Sequence, residues 1–166
     1  MIYVRHERPG DDKGIREVTA AAFEGHPHSD QSEPLIIERL REAGALSVSL
    51  VAEMNDEIVG HVAFSPVTLT PAESGWFGLG PVSVKPDVQA QGIGRQLIRE
   101  GLEWLRAEGA SGCVVVGDPA YYQKFGFHNE SALVFPGCAP QYFMALALSS
   151  AMAAGTVAYH PAFGAE

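Results

Sequence analysis

Only two cysteines occur among the 166 residues, and that scarcity excludes a fold stapled by disulfides. Cys113 and Cys138 lack the C-x-x-C spacing of a zinc or dithiol site, so both read as plain thiols. Basic side chains are also few: 11 Lys and Arg stand against 20 Asp and Glu, a formal charge of −9. Such a surface repels a phosphate backbone and an anionic bilayer, so neither nucleic acid nor membrane is an expected partner. No apolar run approaches the ~18 residues of a spanning helix, and the opening MIYVRHERPGDD mixes charges where a secretory leader is apolar. The chain reads as cytoplasmic.

Several motifs are missing too. The Walker pattern G-x-x-x-x-G-K-[ST] does not occur, a dinucleotide fingerprint would need glycine at Leu97, and there is no G-x-S-x-G elbow. Triphosphate, nicotinamide and serine-hydrolase readings lose support accordingly. The run His26-Pro27-His28-Ser29-Asp30 offers two imidazoles and a carboxylate but no fourth ligand at a fixed offset. It reads as a mobile substrate loop, and no metal is expected.

What is present suits one globular core: 46% of residues are apolar and 19% charged, at a length that favours a single domain, 1–166. Residues 2–7 alternate as a strand, and Pro9-Gly10-Asp11-Asp12 leads into a helix whose apolar positions run from Ile15 to Phe23. A second helix is expected over Glu33 to Glu42. Strands follow over Leu46 to Met54, Ile58 to Leu69 and Trp76 to Val84. The strongest helix carries Leu97, Ile98, Leu102 and Leu105 on one face and stops at Gly109. Gly112 to Gly117 suits a buried strand, Pro119 opens a brief helix, and Phe127 onward and Tyr142 to Leu148 are further strand candidates. The tail from 149 to 166 shows no period and reads as an exposed extension of a core covering about 2–148.

The informative segment is Val82-Ser83-Val84-Lys85-Pro86-Asp87-Val88-Gln89-Ala90-Gln91-Gly92-Ile93-Gly94-Arg95-Gln96-Leu97. A strand passes through a glycine turn into a helix, whose first amides lack partners and whose dipole is positive there. A phosphate or pyrophosphate fits such a seat, and Arg95 adds a full charge beside it.

With Gln89-Ala90-Gln91-Gly92-Ile93-Gly94 after that strand, and Tyr122-Gln123-Lys124-Phe125-Gly126-Phe127 downstream, the sequence resembles the GCN5-related N-acetyltransferase family. Gly117-Asp118-Pro119-Ala120-Tyr121-Tyr122 and the Ala/Gly-rich tail look like its YhbS-like subgroup. The resemblance implies an α/β fold: a mixed, mostly antiparallel sheet of about seven strands flanked by helices and splayed between the fourth and fifth. It also implies acetyl-coenzyme A as co-substrate. Main-chain groups of Val82, Ser83 and Val84 would pair with the pantetheine arm, the amides of Gln91, Gly92, Ile93, Gly94 and Arg95 would hold the pyrophosphate, and Gln89 would shape the loop. Many members carry Gly at the position of Ala90, or a basic residue at Gln89 or Gln91, so this chain relies more on its backbone.

The implied reaction is direct transfer of acetyl to a primary amine of a small molecule or peptide. Tyr122, four residues before Gly126, stands at the family's acid position and would protonate the leaving sulfur. Glu33 is the first candidate base, with His61 and Glu53 behind it. A non-catalytic module that binds or senses acyl-coenzyme A on the same fold is the alternative, and a homodimer is compatible with the exposed tail and edge strands.

Overall fold

A computed structural model describes residues 1–164 of the chain. In chain order its elements are β1 (Tyr3–His6), α1 (Asp12–Phe23), α2 (Glu33–Glu42), β2 (Val48–Met54), β3 (Glu57–Pro66), β4 (Thr68–Thr70) and β5 (Trp76–Val84). Then come α3 (Ile93–Ala107), β6 (Gly112–Val116), α4 (Pro119–Tyr122), β7 (Leu133–Val134), β8 (Phe143–Ala147) and β9 (Gly155–Ala158). Six strands form one sheet in the order β1-β2-β3-β5-β6-β8. Its neighbours run antiparallel except β5 and β6, which are parallel.

Alternating side chains divide the core into two layers. On one face α3 lays Leu97, Ile98, Leu102 and Leu105 against Val48, Leu50, Val62 and Phe64. Each such side chain, wholly withdrawn from water, contributes ~1.5–3 kcal/mol relative to exposure. On the other face Ile15 of α1 and Ile37 of α2 cover Val51.

The feature that makes room for a ligand is a failure of pairing. β5 and β6 match at Trp76↔Gly112, Phe77↔Cys113 and Gly78↔Val114, and the pairing ends there. Against β3, Val82 pairs with Val62 but Leu79 pairs with Phe64, so β5 carries one extra residue across Gly80-Pro81. This bulge bends the strand, and Pro81 has no N–H to offer a neighbour. β6 meanwhile stays with β8 as far as Val116↔Phe143. The sheet therefore opens between its fourth and fifth strands, as the family resemblance implies.

Three expectations need correction. The strand expected over Ile58 to Leu69 breaks after Pro66, and its last part becomes β4 in a second sheet of order β4-β9-β7. Phe127 onward is not a continuous strand: His128 makes an isolated bridge to Ala145, and the next strand is the two-residue β7. The tail is not simply exposed. β9 pairs with β4 and β7, Val157 is buried, and Ala162 and Phe163 pack on Ile36 and Leu40 of α2.

Candidate active site

The turn before α3 has the geometry an anion seat requires. Gly92 adopts φ 83°, a left-handed conformation that glycine takes without steric cost, and caps the helix. Ala90 takes φ 64° where a side chain is disfavoured. The first intrahelical bond runs from Gln96 N–H to the Gly92 carbonyl at 3.0 Å, so the amides of Ile93, Gly94 and Arg95 lie ahead of it. A cavity of about 640 Å³ stands there, lined by Ala90, Gln91, Gly92, Arg95, Gln96 and Arg99 among others. The side-chain amide of Gln89 donates to the Val84 carbonyl at 3.0 Å and ties the loop back to β5.

The open edge of β5 can be counted from one bond. Lys85 N–H donates to the Val59 carbonyl at 2.8 Å. In an antiparallel ladder, main-chain groups alternate in direction. Those of Ser83 therefore turn to His61, its register partner, and those of Val82 and Val84 turn to the parted edge. Ser83 departs from its expected role: its backbone serves β3, and its side chain is buried.

Between the parted strands lies a cavity of about 880 Å³. Leu79 to Val82 of β5 and Val116 to Asp118 at the end of β6 line it, together with Tyr122 and Glu33. Tyr122 comes from α4, which Asp118 starts by accepting the Ala120 N–H at 3.0 Å. Its ring lies on Gly117, where an added methyl would sit 2.4 Å from the ring carbon Cε2. Burial is the main cause that pushes the phenol up to about 12, so the hydroxyl carries its proton at neutral pH. Neighbouring Tyr121 faces elsewhere: its hydroxyl is 3.5 Å from the position a Gly94 methyl would occupy, beside the anion seat.

Glu33 stands in the first turn of α2, and Ser29 donates to its Oε1 at 2.6 Å. That bond occupies one carboxylate oxygen. Neither weaker base candidate is among the residues lining this cavity. Glu53 is ion-paired with Arg5. His61 is wholly buried, 2.8 Å from the Ser49 hydroxyl, and desolvation lowers its pKa to about 4.

His26, His28 and Ser29, expected in a substrate loop, line the wall, and so do Phe23, Cys138 and Tyr142, which sequence reasoning did not foresee as cavity residues. Nothing local marks them, because the end of α1, the loop after it and the 138–142 segment meet only once the sheet has formed. No group of three or more His, Cys, Asp or Glu suited to a metal occurs among the described residues.

Residues 13–127 match the model of the Acetyltransferase (GNAT) family. The chain belongs to that family. As a member it is an acyltransferase, and its likeness to YhbS runs over nearly its whole length. It is 34% identical to the uncharacterized N-acetyltransferase YhbS of Escherichia coli (strain K12), over 98% of each chain. A crystal structure of a GNAT family acetyltransferase from Brucella melitensis in complex with acetyl-CoA is 50% identical, with a TM-score of 0.88 over 98% of both chains. The crystal structure of E. coli YhbS in complex with CoA gives a TM-score of 0.89 at 33% identity, covering 98% of this chain and 92% of that one.

Proposed function

We propose that the protein transfers the acetyl group of acetyl-coenzyme A to a primary amine by direct attack. One observation carries this reading: Tyr122, Glu33 and the open edge of β5 line a single cavity, and the edge leads on to the amides of the α3 turn. Those amides and Arg95 hold the pyrophosphate, where a helix N-terminus favours negative charge. The pantetheine arm pairs with the main chain of Val82 and Val84 as an added strand would. That course ends the thioester beside Tyr122.

Glu33 takes a proton from the ammonium of the acceptor, directly or through water, which supplies the neutral nitrogen nucleophile. As the nitrogen bonds to the thioester carbonyl carbon, the Val82 amide stabilises the developing oxyanion. The carbon–sulfur bond breaks and Tyr122 gives its proton to the sulfur; the second proton, shed by the nitrogen as the amide forms, returns to the Tyr122 phenolate directly or through water, and Glu33 releases its own to solvent, so coenzyme A leaves as the thiol and the acceptor as the N-acetyl amide. A phenol pushed up to about 12 keeps its proton at neutral pH, so the proton is in place when the sulfur leaves.

Tyr122→Phe tests the assignment. The rate of acetyl transfer falls by about 10²- to 10⁴-fold, while coenzyme A affinity measured by calorimetry stays within about twofold. Equal turnover in the variant removes Tyr122 from the chemistry. Absence of thioester consumption across amine classes, with coenzyme A still bound, favours the acyl-coenzyme A binding module.

A further inference from the structure

We infer that the acceptor site has two chambers and takes a primary amine carried on an apolar body of about aryl size, with Cys138 at the partition setting how long that body is. The inference rests on the transferase reading above and concerns the end of the cleft away from the α3 turn. A second cavity of about 600 Å³ lies beside the first, with Leu133, Val134, Phe135 and Phe143 in its wall. Cys138 lines both cavities; Tyr142, between Gln141 and Phe143 of the second, lines the first. The 138–143 segment is therefore a wall shared between the chambers.

Exposure points to the same place. Val116, Tyr142 and Val134 are large apolar side chains left 43%, 49% and 52% exposed. The first two line the inner cavity and the third lines the second. Apolar side chains left in water along concave walls that meet at Cys138 mark a binding surface. The Phe135 and Phe143 rings, 5.5 Å apart and inclined at 40°, give the second chamber two aromatic walls.

Charge sets the other half of the acceptor. Glu33 and Asp118 line the inner cavity and Glu130 the second, and no Lys or Arg is among the described residues lining either. The cavity at the α3 turn, by contrast, carries Arg95 and Arg99. An ammonium group is drawn to the inner chamber, whereas an acceptor that also bears a carboxylate meets like charge in both. The apolar body then extends past Cys138 into the second chamber.

The test compares kcat/KM for butylamine, 4-phenylbutylamine and 5-aminopentanoate with acetyl-coenzyme A. In the native protein 4-phenylbutylamine exceeds butylamine by about tenfold or more, as burial of a phenyl group predicts, and 5-aminopentanoate falls below butylamine. Cys138→Trp blocks the partition, and Val134→Lys, at a half-exposed position that tolerates substitution, makes the second chamber polar. Either reduces the 4-phenylbutylamine to butylamine ratio to about twofold or less. Equal kcat/KM for the two amines in the native protein overturns the inference, as does a ratio left intact in both variants. So does a Cys138→Trp protein whose preference changes for acyl chain length instead, which would make the second chamber an acyl pocket. If no amine is acetylated at all, the transferase reading fails, and binding decides the chamber separately: 4-phenylbutylamine raises the Tm of the native protein and not of Val134→Lys, or the chamber is refuted.

Discussion

At Gly94 the space a methyl group would take is bounded by ordinary contacts, 3.5 Å to the Tyr121 hydroxyl and 3.5 Å to Val84 Cγ2. The protein itself can therefore accept alanine there, and the helix gains up to ~1 kcal/mol in propensity. The methyl nevertheless enters the gap between the first turn of α3 and the end of β5, which a pyrophosphate joined to a pantetheine arm must cross. Gly94→Ala accordingly keeps or raises thermal stability and weakens coenzyme A binding by about tenfold, read by calorimetry beside a melting curve. A variant that binds normally shows that the ligand takes another route across the turn. The resemblance is concentrated in this turn because a left-handed cap at Gly92 is a backbone requirement, and backbone requirements are visible in sequence.

Among the elements, α3 depends on close approach. A methyl at Gly101 would lie 2.2 Å from Phe64 Cε1 and 2.7 Å from its Cζ, and Phe64 is wholly buried at the centre of the sheet. Gly101→Ala gains at most ~1 kcal/mol of helix propensity and incurs the cost of moving a packed ring, about 1–3 kcal/mol. Net destabilisation of up to about 2 kcal/mol follows, measurable as a lower urea midpoint with unchanged slope; a raised midpoint would show that α3 is free to lift from β3. The long helix, α2 and β5 were legible because each has a strong period and clear punctuation: Glu33 to Glu42, Trp76 to Val84 and the start at Gly92-Ile93-Gly94 agree with the sequence reading. β4, β7 and β9 were not, since strands of three, two and four residues carry too little pattern. Their pairing partners are remote in sequence, Thr68 opposite Ala158 for example. The same reason hid Cys138 and Tyr142 from the site: their arrival beside Val116 is decided by the path of the whole segment after α4, whereas Tyr122 was found because its distance from Gly126 is local.

Across the whole molecule one polar chain ties α2 to the middle of the sheet. Arg41 donates twice to Glu7 at 2.8 Å, Ser49 donates to Glu7 at 2.7 Å, and the Ser49 hydroxyl lies 2.8 Å from His61 Nε2. The chain thus passes from a helix through the end of β1 and across β2 to β3. Desolvation lowers the His61 pKa to about 4 from an ordinary 6.5, with Glu7 opposing the shift and Arg41 adding to it. Burial tends to raise the Glu7 carboxyl, but the hydrogen bonds from Arg41 and Ser49 outweigh it and leave it below 4.5. The two groups therefore act in different pH windows. Between pH 6.5 and about 4 the unfolded chain binds a proton on His61 that the folded chain refuses, so stability falls as pH is lowered, by up to about 3 kcal/mol. Glu7 contributes its own loss only below its ordinary 4.5, as protonation removes the charge that Arg41 holds. His61→Gln can keep a hydrogen bond to Ser49 and removes the titration. Its unfolding free energy, measured by urea at steps between pH 7 and 5, is then flatter than that of the native protein, while both decline together below pH 4.5. Parallel curves over the upper window would mean that His61 takes up its proton without unfolding, with Glu7 as counter-ion, and the sheet centre would then hold a charged pair in place of a neutral imidazole.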